Sequence, residues 1–183
     1  MSNKEQPVPE FSWFFEVDSL KDHGNSYDLS ANAEECSALA ERYGIQSLQS
    51  LEAKITLSPG KEKGTVLLEG TLKAALTQTC VVTLEPLNAA IEATFEILYS
   101  AEAEEESLEE TFSSEDALPP EPIVDGKIDL GEAVAVQLAL EIDPFPRKND
   151  SQIDNLSYGP EGGSNGIEGQ GPFAKLAQLK KKS

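Results

Sequence analysis

The sequence predicts an α+β fold: a twisted antiparallel β-meander, or a barrel-like sheet, packed with two helices and carrying a flexible acidic loop and a disordered C-terminal tail. Three observations predict it. Between residues 51 and 99, three long segments alternate apolar and polar residues with period two. Two helix signatures, starting at Asn32 and Asp129, flank this region. The composition changes abruptly at residue 101 and again near residue 148.

In chain order, residues 1–10 are polar and interrupted by proline, and read as a disordered N-terminus. A single domain is expected over 11–147. FSWFFEV (11–17) reads as a strand and YDLSA (27–31) as a second, short one. Asn32 is placed to cap a helix, with Glu35 completing a capping box. Cys36, Leu39, Ala40 and Tyr43 recur at helical spacing, and Gly44 ends the run. Cys36 therefore reads as a core residue.

The period then switches to two. Leu51, Ala53, Ile55 and Leu57 alternate with Glu52, Lys54 and Thr56. After the turn SPGKEKG, Val66, Leu68, Gly70, Leu72, Ala74 and Leu76 alternate with Glu69, Thr71 and Lys73. After Pro86, Ile91, Ala93, Phe95, Ile97 and Tyr99 alternate with Glu92, Thr94 and Glu96. Long strands joined by short turns, with one polar face, make an antiparallel meander that buries its other face. Such sheets twist strongly and often curl towards a barrel.

Residues 101–125 carry ten acidic residues and no lysine or arginine, which reads as a mobile, solvated loop. Its glutamates Glu104, Glu105, Glu106, Glu109 and Glu110 form a candidate docking surface for a cationic partner. At 129–142, Asp129 and Glu132 repeat the capping pattern, and Leu130, Val134, Leu138 and Ile142 lie near one face, widened by Ala133 and Leu140. Pro144 and Pro146 end that helix. Residues 148–171 read as a flexible linker and 172–183 as a basic amphipathic tail. In the tail Phe173 and Leu176 share a helical face, with Lys175, Lys180, Lys181 and Lys182 around them. With Arg147 and Lys148, these make the only locally cationic part of the chain. They are candidate partner-binding residues, for a binding peptide or for direct RNA contact; the tail reads equally as a frayed terminus that docks on the chain's own acidic domain.

The gross balance narrows the function. Of 183 residues, 33 are acidic and 14 basic, a formal net charge of −19. An autonomous nucleic-acid binder needs a basic surface, so this balance points instead to cationic partners. No apolar run approaches the roughly 18–20 residues that span a bilayer, and the N-terminus lacks a signal-peptide core, so a cytoplasmic location is the expectation. There is no Gly-rich phosphate loop and no calcium-loop pattern, and the single histidine, His23, lies in a turn-like context. No catalytic residue, cofactor or metal is expected, and an enzyme with an unrecognised site is the weakest class.

QTCVVTLEPL (78–87) poses a separate question: its cysteine would serve as nucleophile, metal ligand, disulfide partner or core filler. Counting by twos from Leu72 places Leu76, Cys80, Val82 and Leu84 on the apolar face. No cationic neighbour in sequence is there to depress the thiol pKa, so Cys80 reads as a buried core residue.

Three segments together carry a family resemblance: TCVVTLEPL, IDLGEAVAVQLALEIDPFPRK and the terminal PFAKLAQLKK. In this order and spacing they resemble the YceD family, the large ribosomal RNA subunit accumulation proteins. The middle segment is the most specific. The resemblance implies a non-catalytic bacterial cytoplasmic factor in ribosome biogenesis; taken with the −19 charge, it makes a basic ribosomal protein or pre-ribosomal particle the expected partner. Many relatives have Cys-x-x-Cys where this chain has Cys80-Val81-Val82-Thr83, so a four-thiolate zinc site does not carry over.

Overall fold

Order in this chain starts from its long strands. The structure is a computed structural model, and it describes residues 9–103 and 119–148. Along these the elements are β1 (Phe14–Glu16), β2 (Asn25–Ser30), α1 (Ala33–Tyr43), β3 (Ser47–Pro59), β4 (Thr65–Thr79), β5 (Pro86–Ser100), β6 (Glu121–Pro122), β7 (Lys127–Asp129) and α2 (Leu130–Glu141). The main sheet has the order β2-β3-β4-β5-β6, and β1 and β7 pair as a separate two-stranded ribbon. Neighbours in the main sheet are antiparallel except β5 and β6, which are parallel. The meander is as expected. The sheet stays open, so the barrel-like alternative is not what this sequence builds.

The period-two pattern places one row of each strand inward. Leu51, Ala53, Ile55 and Leu57 of β3 and Val66, Leu68, Leu72, Ala74 and Leu76 of β4 are buried. Gly70 lies in this same row. Its β5 neighbour Phe95 fills the gap: a Cβ at Gly70 would stand 2.3 Å from the Phe95 ring. The two helices complete the core through Cys36, Leu39 and Ala40 of α1 and Leu130, Val134 and Leu138 of α2.

The first helix begins and ends where expected. The Asn32 side chain accepts from the backbone N–H of Glu34 and Glu35, and Glu35 accepts from the Asn32 N–H at 2.7 Å. Gly44 closes the helix in the left-handed region, φ 64°. At α2 only half of the expected box forms. Asp129 accepts from Gly131 and Glu132, but Glu132 reaches away to Arg42 of α1, at 2.6 and 2.8 Å. Arg42 also meets Glu10 at 3.1 Å, and the Tyr43 hydroxyl donates to the Ala135 carbonyl at 2.8 Å. The two helices are thus pinned together by side chains.

Several expectations change in detail. The strand expected over 11–17 shortens to Phe14–Glu16, because Val17–Ser19 turns into a 3₁₀ helix and Phe11 enters the core. Within the expected loop at 101–125, residues 119–125 hold β6 and a turn in which Asp125 has φ 50°. Leu140 does not widen the buried face of α2: it is 71% exposed, on the outward side of the helix with Val136 and Ala139. Val82 and Leu84 do not continue the β4 inner row. The strand ends at Thr79, a turn follows, and Leu84 is 76% exposed with φ 59°. Parity along a strand holds only while the strand lasts.

Candidate functional site

Two surfaces carry the chain's unusual side chains. The first is the corner where the β4–β5 turn meets the segment after α2. Cys80 donates its N–H to the Glu85 carbonyl at 2.9 Å, and Leu84 donates back to the Cys80 carbonyl at 2.9 Å. Val81 donates to the Pro146 carbonyl at 2.9 Å, and Gln78 donates to the Asp143 carbonyl at 2.7 Å. The Lys148 ammonium meets Glu85 at 3.1 Å. These bonds hold Val81, Leu84 and Phe145, all exposed, at one corner beside Arg147.

Cys80 is buried, as expected, and both cysteines are free thiols. Its acidity is not as expected. The Thr83 side chain and backbone N–H bond the sulfur, the latter at 3.5 Å, and lower its pKa to about 6, against the opposing effect of burial. Backbone groups of Lys148 and Val82 act in the same direction. The depression comes from the turn's own hydrogen bonds, which a search for a cationic neighbour overlooks. Cys36 shows the opposite case: burial and the Glu35 charge raise its pKa.

The second surface is the outer face of the sheet. An open concavity of about 590 Å³ is lined there by Lys54, Thr56, Glu69, Thr71, Thr94 and Glu96 over Gly70 and Phe95. Lys54 pairs with Asp28 at 3.1 Å and Lys73 with Glu92 at 2.8 Å, which consumes both lysines. Glu69 and Glu96 stand directly opposite one another across β4 and β5, and neither joins a salt bridge among the described residues. Like charges so placed repel each other, and a cation bound between them would relieve that repulsion.

Of the sequence-derived candidates, Arg147 and Lys148 fall at the Cys80 corner, with Arg147 exposed. Glu104, Glu105, Glu106, Glu109 and Glu110 lie outside the described residues, as do Phe173, Lys175, Leu176, Lys180, Lys181 and Lys182. Sequence reasoning missed Glu69 and Glu96 as a facing pair, since register is a property of two strands. It also missed Leu84 and Phe145 as exposed apolar residues. Pro144 and Pro146, which bracket Phe145, were the available signal.

Among the described residues, no three or more His, Cys, Asp or Glu side chains gather in a way that could hold a metal. No helix there is long and apolar enough to cross a membrane. The architecture defines the class: a small α+β domain whose distinctive groups are displayed on an open sheet and one corner. The chain belongs to the YceD family, described as the large ribosomal RNA subunit accumulation protein, whose model matches residues 68–180. The match runs from mid-β4 through β5, the Cys80 turn and α2, and so contains the Cys80 corner and the β4 and β5 part of the outer sheet face, but not its β3 side. Comparison with curated proteins and comparison with solved structures each return no match.

Proposed function

We propose that this protein is a non-catalytic cytoplasmic factor that supports accumulation of large-subunit ribosomal RNA by binding a basic ribosomal protein or an assembly intermediate. The observation that carries the reading is the family match over residues 68–180. The chemistry of the partner follows from charge. A chain of net charge −19, with both lysines of its outer sheet face already paired and Glu69 and Glu96 left over, attracts cations and repels bare phosphate. Ribosomal assembly intermediates present many basic protein segments, and electrostatic attraction speeds their capture. Affinity capture of the tagged protein from cells at low and at high salt tests this. Ribosomal proteins and pre-ribosomal RNA should be recovered at low salt and lost at high salt. Their absence at low salt overturns the reading.

A second reading is direct RNA contact through the cationic end of the chain. Six basic residues follow residue 144 against four acidic ones, and Arg147 is exposed where the chain leaves α2. Deleting residues 172–183 would then lower RNA affinity and flatten its salt dependence. Unchanged RNA binding removes this reading.

A further inference from the structure

From the geometry of β5 we infer that its free edge is a docking strand for an extended basic segment of a partner protein, which would add a strand to the main sheet. This rests on the proposed reading, that the partner is basic, and specifies where and how it binds.

The edge is long and regular. β5 pairs with β4 without a break from Thr65↔Ser100 to Thr79↔Pro86, with no bulge. Beyond β5, among the described residues, lies only β6, which reaches only Tyr99 and Ser100. The hydrogen-bond phase fixes which groups face outward. Cys80 donates to Glu85 and Ala101 donates to Gly64, so odd-numbered residues of β5 bond β4. Ser100, an even residue, instead accepts from Ile123 on the far side. The N–H and C=O groups of Asn88, Ala90, Glu92, Thr94, Glu96 and Leu98 therefore point to the open edge. Pro86, with no N–H, sits in the same phase, where β4 asks for none.

The side chains call for the same thing. The inner row of β5 (Ala89, Ile91, Ala93, Phe95 and Ile97) packs on the core but is only half-buried, whereas the matching rows of β3 and β4 are buried. One more strand would cover it. Natural sheets protect long edges with bulges, prolines, inward charges, edge lysines or a covering element. Between residues 87 and 98 this edge has no bulge, proline, lysine or inward charge, no strand beyond it among the described residues, and its charges, Glu92 and Glu96, are acidic and point outward. An added strand with lysine or arginine at alternate positions would set cations beside Glu92 and Glu96, with Glu69 one strand further in, and apolar side chains over the half-buried row. A second copy fits less well, since it brings its own Glu92 and Glu96 and a further −19. Residues 104–118 carry seven acidic residues and no lysine or arginine, the wrong charge for this edge.

The test uses the full chain and a capped nine-residue peptide alternating lysine and valine, with a glutamate–valine peptide for comparison, read by amide hydrogen exchange and by titration. The lysine peptide should slow exchange at Ala90, Glu92, Thr94 and Glu96, and the glutamate peptide should not. Thr94→Pro removes one outward donor while leaving the β4 ladder intact, and should weaken binding about tenfold. Ala90→Pro does the same should Thr94→Pro disturb the fold, which circular dichroism monitors. Glu96→Lys should weaken the lysine peptide about threefold and improve binding of the glutamate peptide. No change in β5 exchange at millimolar peptide overturns the inference. So does an edge already protected in the free protein, whether the protection fades on dilution (a second copy) or on deletion of 104–118 (the chain's own segment). Recovery of ribosomal proteins that survives Thr94→Pro and Ala90→Pro would keep the proposed function and sink the edge. Peptide docking on β5 with no ribosomal recovery would do the reverse.

Discussion

Gly70 shows how one residue shapes the sheet around the edge strand. Alanine in place of a strand glycine normally stabilises by roughly 0.5–1 kcal/mol, because the unfolded chain loses freedom. Here the added methyl would stand 2.3 Å from the Phe95 ring, so the ring must leave. Phe95 is part of the half-covered inner row, and displacing it exposes the core beneath. We expect Gly70→Ala to lose about 1–3 kcal/mol, measured by urea unfolding, because overpacking outweighs the entropy gain. At Cys80 the controlling contact is Thr83, and Thr83→Ala should raise the thiol pKa back from about 6, followed by thiolate absorbance against pH. The folded pKa lies below the ordinary thiol value of 9.0. The group's contribution to stability is therefore complete above pH 9, declines as pH falls towards 6, and is absent below that. Wild type should gain stability between pH 6 and 9 relative to Cys80→Ala. Cys36, whose pKa is raised, acts in the opposite sense: its contribution is complete below pH 9 and is lost as pH climbs past that. Parallel pH–stability curves for wild type and Cys80→Ala would show that the turn does not hold a thiolate.

At the scale of elements, α2 is organised by its first residue outward. Asp129 caps the helix, accepts the Trp13 N–H at 2.8 Å and takes the Ser12 hydroxyl, so it ties the helix start to the segment just before β1. A cap alone is worth about 1 kcal/mol. With the two further bonds lost, Asp129→Ala should cost about 2 kcal/mol, and Asp129→Asn less, because the amide oxygen still caps. Thermal unfolding of both variants checks the order. The same helix shows what the sequence can and cannot carry. Its existence, its cap and its stop before Pro144 are written locally, as are the α1 capping box and the three long alternating strands. Local signals fail where a second segment decides. The ribbon of β1 and β7 joins two three-residue strands more than a hundred positions apart: β1 shows as a strand in FSWFFEV, but β7 is too short to signal itself, and the pairing is written in neither. Glu132 left its expected box because Arg42 offers a two-pronged partner, at a partly exposed site where the geometry matters more than the charge. The polar outer face was legible as alternation, but not that Glu69 would meet Glu96. Closure of the sheet was not legible either, since alternation sets which face is buried and not how many strands complete the edge.

For the whole molecule, charge is the dominant quantity. At −19 the chain repels itself, and dissolved cations screen that repulsion within about 10 Å at 0.1 M salt. Added salt also weakens Arg42–Glu132 and the exposed Lys54–Asp28 and Lys73–Glu92 pairs. Exposed pairs are worth little, so relief of the general repulsion should win. Raising sodium chloride from 10 to 300 mM should therefore raise the melting temperature, by about 2–4 °C if the gain is about 1 kcal/mol. Replacing Glu69 and Glu96 with glutamine removes a facing like-charge pair, and should raise the low-salt melting temperature and shrink the salt effect. The same double variant should bind a basic partner less tightly. Stability and recognition then pull in opposite directions at these two positions. That conflict is what a binding surface imposes and what a merely solvated face would not show. If the double variant were more stable yet captured basic partners as well as wild type, the acidic outer face would be a matter of solubility, and recognition would lie elsewhere on the molecule.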